Sequence, residues 1–311
     1  MTNMIATRDA YGEALKELGG LNEDIVVLDA DLSGSTKTSV FKNAYPERFF
    51  NVGIAEQSLI ATAAGLSTAG KVPFASTFAV FATGRAFEII RNSVCYPKLN
   101  VKIAATHAGL MVGEDGATHQ ALEDLSLMRS LPNMVVLNPA DAVETKQCIY
   151  KAAEYNGPVY IRLGRSKVPV IFDDSYKFEI GKGVELKEGK DVTIIATGVM
   201  VEKALLAAEE LSKEGISARV INMASIKPID KDMIIKAANE TKGIVTVEEH
   251  NIIGGLGSAV AEVVSENRPT YVERIGTMDT FGESGDGNEL LQKYGLNVEN
   301  IVDKAKKILS K

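Results

Sequence analysis

The 311-residue chain is 45% apolar, long enough for two hydrophobic cores, and its 41 acidic against 34 basic side chains leave a net charge of −7. The basic residues form no run, which excludes nucleic acid as an expected partner, and no apolar stretch approaches the ~18 residues that cross a bilayer. The opening MTNMIATRD has no signal-peptide pattern, and Cys95 and Cys148, with no metal-ligand spacing around them, predict reduced, buried thiols in a cytoplasmic protein.

In chain order, IVVLDAD (25–31), VPFASTF (72–78), VKIAAT (101–106), MVVLNP (134–139) and PVYIRLG (158–164) are short runs rich in β-forming residues. Segments between them, such as GRAFEIIRNSVC (84–95) and AVETKQCIYKAAEY (142–155), have helical spacing. This alternation predicts a mainly parallel sheet with helices on both faces. From about 166 to 190 the sequence turns polar and turn-rich, as in a linker. A second alternation follows in DVTIIATG (191–198), EKALLAAEELSKEG (202–215), ARVINMASI (218–226), DKDMIIKAANET (230–241), GIVTVEEH (243–250), GSAVAEVVSEN (257–267) and TYVERIG (270–276). The fold class is therefore α/β, two doubly wound domains over residues 1–185 and 186–311.

Several stretches carry side chains able to do chemistry. FFNVGIAEQ (49–57) places Glu56 near a helix start, where the dipole stabilises a carboxylate; a first-turn structural acid is one reading. Phe78 and Phe81 in STFAVFATG share a face if the segment is helical, as core aromatics also would. HAGLMVGEDGATHQ (107–120) holds two of the three histidines and follows a predicted strand, where α/β proteins bind ligands. Its ligand spacing is not that of a zinc site, and histidines on a polar surface loop fit it too. GGLGS (254–258) lacks both the dinucleotide pattern and the P-loop lysine, so close packing at a helix start explains it. Gly285, Asp286 and Gly287 lie in a turn-rich segment near the end, with no strand before them.

The words NVGIAEQ, ASTFAVFATGRAFEIIR, THAGLMVGEDGATHQ and SLPNMVVLNPAD, in this order, resemble the C-terminal half of transketolase, in particular the smaller subunit of a split transketolase. The resemblance covers roughly residues 5 to 300. It implies a thiamine-diphosphate pyrimidine-binding domain followed by a transketolase C-terminal domain. It also implies ketol transfer between sugar phosphates (EC 2.2.1.1), as in the pentose phosphate pathway. Thiamine diphosphate reacts at its thiazolium C2 once its aminopyrimidine is activated by a carboxyl group hydrogen-bonded to the ring, and a Glu in an apolar setting can supply that bond. The resemblance gives this role to Glu56. Phe78 and Phe81 fall on the aromatic pocket around the pyrimidine, and Asp31 falls on the cofactor cleft. A third pocket aromatic of the family is replaced here by Gly84.

His107, Asp115 and His119 fall on sugar-binding positions. His119 is the candidate for proton exchange, because imidazole can act as acid or base near neutral pH. Arg8, Ser35, His107 and Arg165 fall on the phosphate end, although a lone arginine is more commonly a solvated surface charge. The Gly285–Gly287 triplet only imitates the family's metal and diphosphate motif. The resemblance therefore implies that Mg2+ (or Ca2+) and the diphosphate are held mainly by a partner N-terminal subunit, in an α2β2 assembly. His250 and the second domain would then be structural. Alternatives are the β subunit of a 2-oxo acid dehydrogenase, a deoxyxylulose-phosphate-synthase-like enzyme and a non-catalytic assembly subunit; the paired histidines favour transketolase.

Overall fold

The computed structural model describes residues 3–311; Met1 and Thr2, which open the MTNMIATRD stretch, lie outside the described residues. Seven strands form the first sheet, in the order Ser225–Lys227, Val135–Leu137, Val159–Arg162, Lys102–Ala105, Val72–Ser76, Ile25–Asp29 and Phe49–Asn51. All neighbours run parallel except Ser225–Lys227, which pairs antiparallel. The strand Ile25–Asp29 shows why the central runs are apolar without alternation, since it is buried along its whole length. Ile25 and Val27 pack with Tyr11 and Leu15 of the helix Thr7–Leu21 and Ile149 of the helix Ala142–Glu154. Val26 and Leu28 point to the other face, against Leu59, Ile60 and Ala63 of the helix Glu56–Thr68.

The second sheet has five strands, in the order Tyr271–Thr277, Gly243–Asn251, Val192–Ala196, Ala218–Asn222 and Val184–Lys187, the last antiparallel. The helices Met200–Lys213 and Val298–Leu309 bury apolar stripes against it. Two others, Lys231–Glu240 and Leu256–Asn267, belong to an apolar cluster that continues into the first domain through Ile226 and Met134. The two sheets are thus joined by a shared core.

Three local features differ from the sequence pattern. ARVINMASI is not one strand: Ala218–Asn222 stays in the second sheet, and Ser225–Lys227 crosses to cover the edge strand Val135–Leu137 of the first. Left bare, that edge would expose unpaired backbone groups. The 166–190 stretch is anchored at both ends, as Lys167–Pro169 pairs with Met4–Ala6 and Val184–Lys187 enters the second sheet. Between them Phe178 is buried and the Ile171 and Phe172 amides donate to Asp141 Oδ2 at 2.6 and 2.8 Å. Finally, the helical segment after Val72–Ser76 contains two wide-turned π-helical stretches, Phe81–Arg85 and Ile90–Cys95, around a short α-helical turn. Cys95 and Cys148 are buried free thiols, and no helix among the described residues is long and apolar enough to cross a membrane.

Candidate active site

The side chains singled out in the sequence lie on loops beyond the carboxyl ends of five neighbouring strands, the edge where open parallel sheets bind ligands. Glu56 follows Phe49–Asn51, Asp31 and Ser35 follow Ile25–Asp29, and Phe78 and Phe81 follow Val72–Ser76. His107 and His119 follow Lys102–Ala105, and Arg165 follows Val159–Arg162. Arg8 arrives differently: the ribbon between Met4–Ala6 and Lys167–Pro169 sets the start of the first helix beside the 164–166 turn, where the Gly164 amide donates to Thr7 Oγ1 at 2.7 Å.

One unbroken run of contacts links these residues. Arg8 Nη1 donates to the Ser35 carbonyl at 3.0 Å and to His107 Nε2 at 3.1 Å. The His107 ring stacks on Phe78 with centroids 3.8 Å apart, and Phe78 stacks on Phe81 at 5.8 Å. His119 meets Phe81 and Phe78 edge-on, at 5.4 and 6.3 Å. Beyond Phe81 comes Arg85, whose guanidinium lies 4.2 Å above the Phe81 ring and whose Nη1 donates to Glu56 Oε1 at 3.0 Å. Glu56 is only 5% exposed, at the first turn of its helix, beside a cleft of about 450 Å³ lined by Ile54, Ala55, Glu56, Gln57, Ser58 and Arg85.

The tautomer of His107 follows from its partners. A guanidinium can only donate, so Nε2 is the acceptor and Nδ1 carries the proton, donated to Thr106 Oγ1 at 2.8 Å. Burial, together with repulsion from the Arg8 and Arg165 cations, pushes His107 down to about 3, so the ring is neutral at working pH. His107 therefore points its one lone pair at Arg8 and has no mobile proton. His119 Nδ1 shares a hydrogen with Thr118 Oγ1 at 2.9 Å, which leaves Nε2 as the nitrogen able to meet a ligand oxygen.

Two sequence-selected acids lie off this run. Asp31, with φ of +66°, is exposed and pairs reciprocally with Asn51, accepting from Nδ2 at 2.8 Å and donating its amide to Oδ1 at 3.1 Å. Asp115 is exposed at the end of the 3-10 turn Leu110–Asp115. Arg165 is held in the site by Val112 O and by Glu114 Oε2 at 3.0 Å, and Ser35 contributes its carbonyl to Arg8.

Other residues have site roles that sequence spacing did not reveal. Arg85 folds back over Phe81, and a Cβ on the adjacent Gly84 would meet nothing within 4 Å beyond its chain neighbours. Asp29, fully buried, accepts from Thr36 and Thr38 hydroxyls at 2.6 and 2.9 Å and shapes the turn that presents Asp31 and Ser35. Its acid is pushed up by burial. A signal for Asp29 was present, an acid closing an apolar strand, but nothing local marked Arg85.

The glycine motifs are structural. Glu248 accepts from the Leu256 and Gly257 amides at 2.7 and 2.8 Å, so a protein carboxylate already occupies the GGLGS helix start. Asp286 caps the helix Gly287–Lys293, accepting from the Asn288 and Glu289 amides. His250 is fully buried between the domains, its Nδ1 donating to Asn251 O and its Nε2 accepting from Ser126 N. Among the described residues no group of three or more His, Cys, Asp and Glu could hold a metal ion.

Residues 3–170 match the domain family "Transketolase, pyrimidine binding domain" and residues 181–301 match "Transketolase, C-terminal domain". A Methanocaldococcus jannaschii protein provisionally described as a transketolase C-terminal section is 56% identical over 305 residues, covering 97% of this chain and 95% of its own. A 6-deoxy-6-sulfo-D-fructose transketolase subunit from a Clostridium species is 41% identical over 301 residues, covering 97% and 94%. Among solved structures, a split-gene transketolase described as an inactive β4 tetramer superposes with a TM-score of 0.93 at 63% identity, over 98% of this chain and 99% of that one.

Proposed function

The chain belongs to the transketolase family as the C-terminal subunit of a split transketolase, and from that premise we propose that it carries the pyrimidine half of a thiamine-diphosphate site completed by a separate N-terminal subunit. The proposed reaction moves a two-carbon ketol unit from a ketose phosphate to an aldose phosphate, in the manner of the pentose phosphate pathway and in the cytoplasm. The supporting observation is the continuous contact run from Ser35 and Arg8 through His107, Phe78, Phe81 and Arg85 to Glu56.

The residues present fit the aminopyrimidine. Glu56 is a buried carboxyl beside an open cleft, and Phe81 would offer an aromatic face to a planar ring once Arg85 moves off it. When bound, the cofactor supplies the electron sink that makes ketol transfer possible. Glu56 would share a proton with the ring nitrogen, which requires its ion pair with Arg85 to open. That pair is inexpensive to break, because Arg85 is 55% exposed. Asp31 would line the cofactor cleft.

At the substrate end, Arg8 would turn from His107 to meet the phosphate with Arg165, aided by Ser35, which would free the His107 Nε2 lone pair to accept from a sugar hydroxyl. His119 Nε2 would pass a proton to and from the reacting oxygen, and Asp115 would accept from a further hydroxyl. The diphosphate and a magnesium or calcium ion would be held mainly by the N-terminal partner, giving an α2β2 assembly. The inactive β4 form of the solved relative supports the expectation that this chain alone does not turn over. Because a relative acts on a sulfo-sugar, the preferred sugar is to be read from assays.

The test is reconstitution with the N-terminal subunit, thiamine diphosphate and magnesium, followed through sugar-phosphate interconversion. Transfer by the complex and none by either chain alone supports the proposal. Pyruvate decarboxylation in its place would move the assignment to the 2-oxo acid dehydrogenases.

A further inference from the structure

The loop that carries His107, Asp115 and His119 is held from two sides. From the first domain, Ser166 Oγ donates to Met111 O at 3.0 Å and Arg165 donates to Val112 O and Glu114, and the remaining anchors come from the second domain. At the loop's near end, Glu249 of the strand Gly243–Asn251 accepts from the Met111 amide at 2.7 Å. The Glu249 carboxylate lies where a Gly109 side chain would be; Gly109 has φ of +81°, and a Cβ there would overlap it. The Glu249 carbonyl accepts from Arg162 Nη2 at 2.9 Å, and Arg162 ends the strand that leads to Arg165.

At the far end, Gln120 is 4% exposed and adjoins His119 in sequence. Its Nε2 donates to Glu283 O at 2.9 Å, in the second domain, and to Leu110 O at 3.2 Å, back across the loop. A Cβ on Gly282 would overlap Gln120 Oε1. One side chain therefore ties both limbs of the loop to the 282–287 segment, while Glu249 props the base.

We propose that the C-terminal domain positions the substrate loop: Glu249 and the Gln120 hook onto the 282–287 segment fix the depth of His119 and the reach of Arg165 in the cleft. These are positioning residues, with no contact to reacting atoms. Their kinetic meaning rests on the proposed ketol transfer, but the mechanical part does not. The loop holds Arg165 through Val112 O and Glu114, so a shift of its limbs displaces the phosphate-end cation along with His119. Displacements of about 1 Å can cost about 100-fold in a reaction that depends on alignment.

The experiment uses Gln120→Leu, Gly282→Ala, Glu249→Leu and Glu249→Gln, the last retaining an acceptor for the Met111 amide. Gly282→Ala meets side chains only, those of Gln120 and Leu110, and so displaces the hook without a clash against backbone. Hydrogen exchange read on the isolated chain should rise about tenfold in the 107–120 peptide, with the Lys102–Ala105 and Val159–Arg162 strands unchanged. Glu249→Gln should remain close to wild type. In the reconstituted complex, kcat/KM for the sugar phosphate should fall about 10- to 100-fold at unchanged thiamine diphosphate affinity. Unchanged loop exchange and kinetics, or a uniform rise that includes the strands, would overturn the proposal. If the wild-type complex transfers no ketol group, the functional reading fails, and the exchange measurement still decides whether the second domain holds the loop.

Discussion

Glu249→Gln should flatten part of the pH dependence of stability. Glu249 is wholly buried between the domains, and burial pushes its carboxyl up to about 7 from an ordinary 4.5. Arg162, whose guanidinium stands 3.9 Å from Glu249 and is shared with Asp124 at 2.8 Å, is the main opposing influence and does not offset burial. The Met111 amide also favours the ionised form, while Asp124 disfavours it. The folded state therefore binds the Glu249 proton more tightly than the unfolded state does. The resulting stabilisation is complete below the unfolded value of 4.5 and is lost as pH rises through about 7. At about 1.36 kcal/mol per pH unit, the wild type loses about 3 kcal/mol over that window. Glutamine keeps an acceptor for Met111 and cannot titrate. Urea unfolding of both proteins from pH 5 to 8 should show the variant gaining on the wild type until about pH 7 and then running parallel to it. A constant offset across the range would refute burial as the dominant influence on Glu249.

Arg85→Ala removes the cation that holds Glu56 Oε1, and an ion pair with one exposed partner is worth at most about 1 kcal/mol, so thiamine diphosphate should bind the reconstituted complex up to about fivefold more tightly by calorimetry. Weaker binding would instead make Arg85 a ligand. For His107, nitrogen-15 spectra of histidine-labelled chain should show a neutral ring protonated at Nδ1 throughout pH 5 to 8; a titration near the ordinary 6.5 would contradict the buried, Arg8-bonded geometry. Gly109→Ala should destabilise the chain by about 2 kcal/mol in the same urea assay, because it adds strain at positive φ and a clash with Glu249. No loss would mean that the loop base is not packed against the second domain.

Sequence reading and structure part company where contacts are long-range. The strands of the first sheet were visible as apolar runs because parallel strands are buried on both faces, as Ile25–Asp29 shows. Glu56 was visible locally only as an acid near a helix start, which the structure shows in the first turn of Glu56–Thr68; its cofactor role came from the resemblance. Arg85 was not visible, because GRAFEIIR reads as an ordinary amphipathic helix, and its partner Glu56 lies 29 positions away. Ser225–Lys227 was hidden for a similar reason: its β-forming residues say nothing about which sheet's edge they will cover. Glu249 and Gln120 are locally unremarkable, an acid ending a strand and an amide ending a loop. Their meaning comes from packing partners in the opposite domain.

The central claim is that Glu56 is the carboxyl of a pyrimidine site, and Glu56→Gln in the reconstituted complex tests it most directly. The amide preserves the shape and packing of the side chain but cannot share a proton with the ring. Assembly with the N-terminal subunit should be unaffected while ketol transfer falls at least about 100-fold. Transfer at the wild-type rate by a fully assembled Glu56→Gln complex would contradict the account.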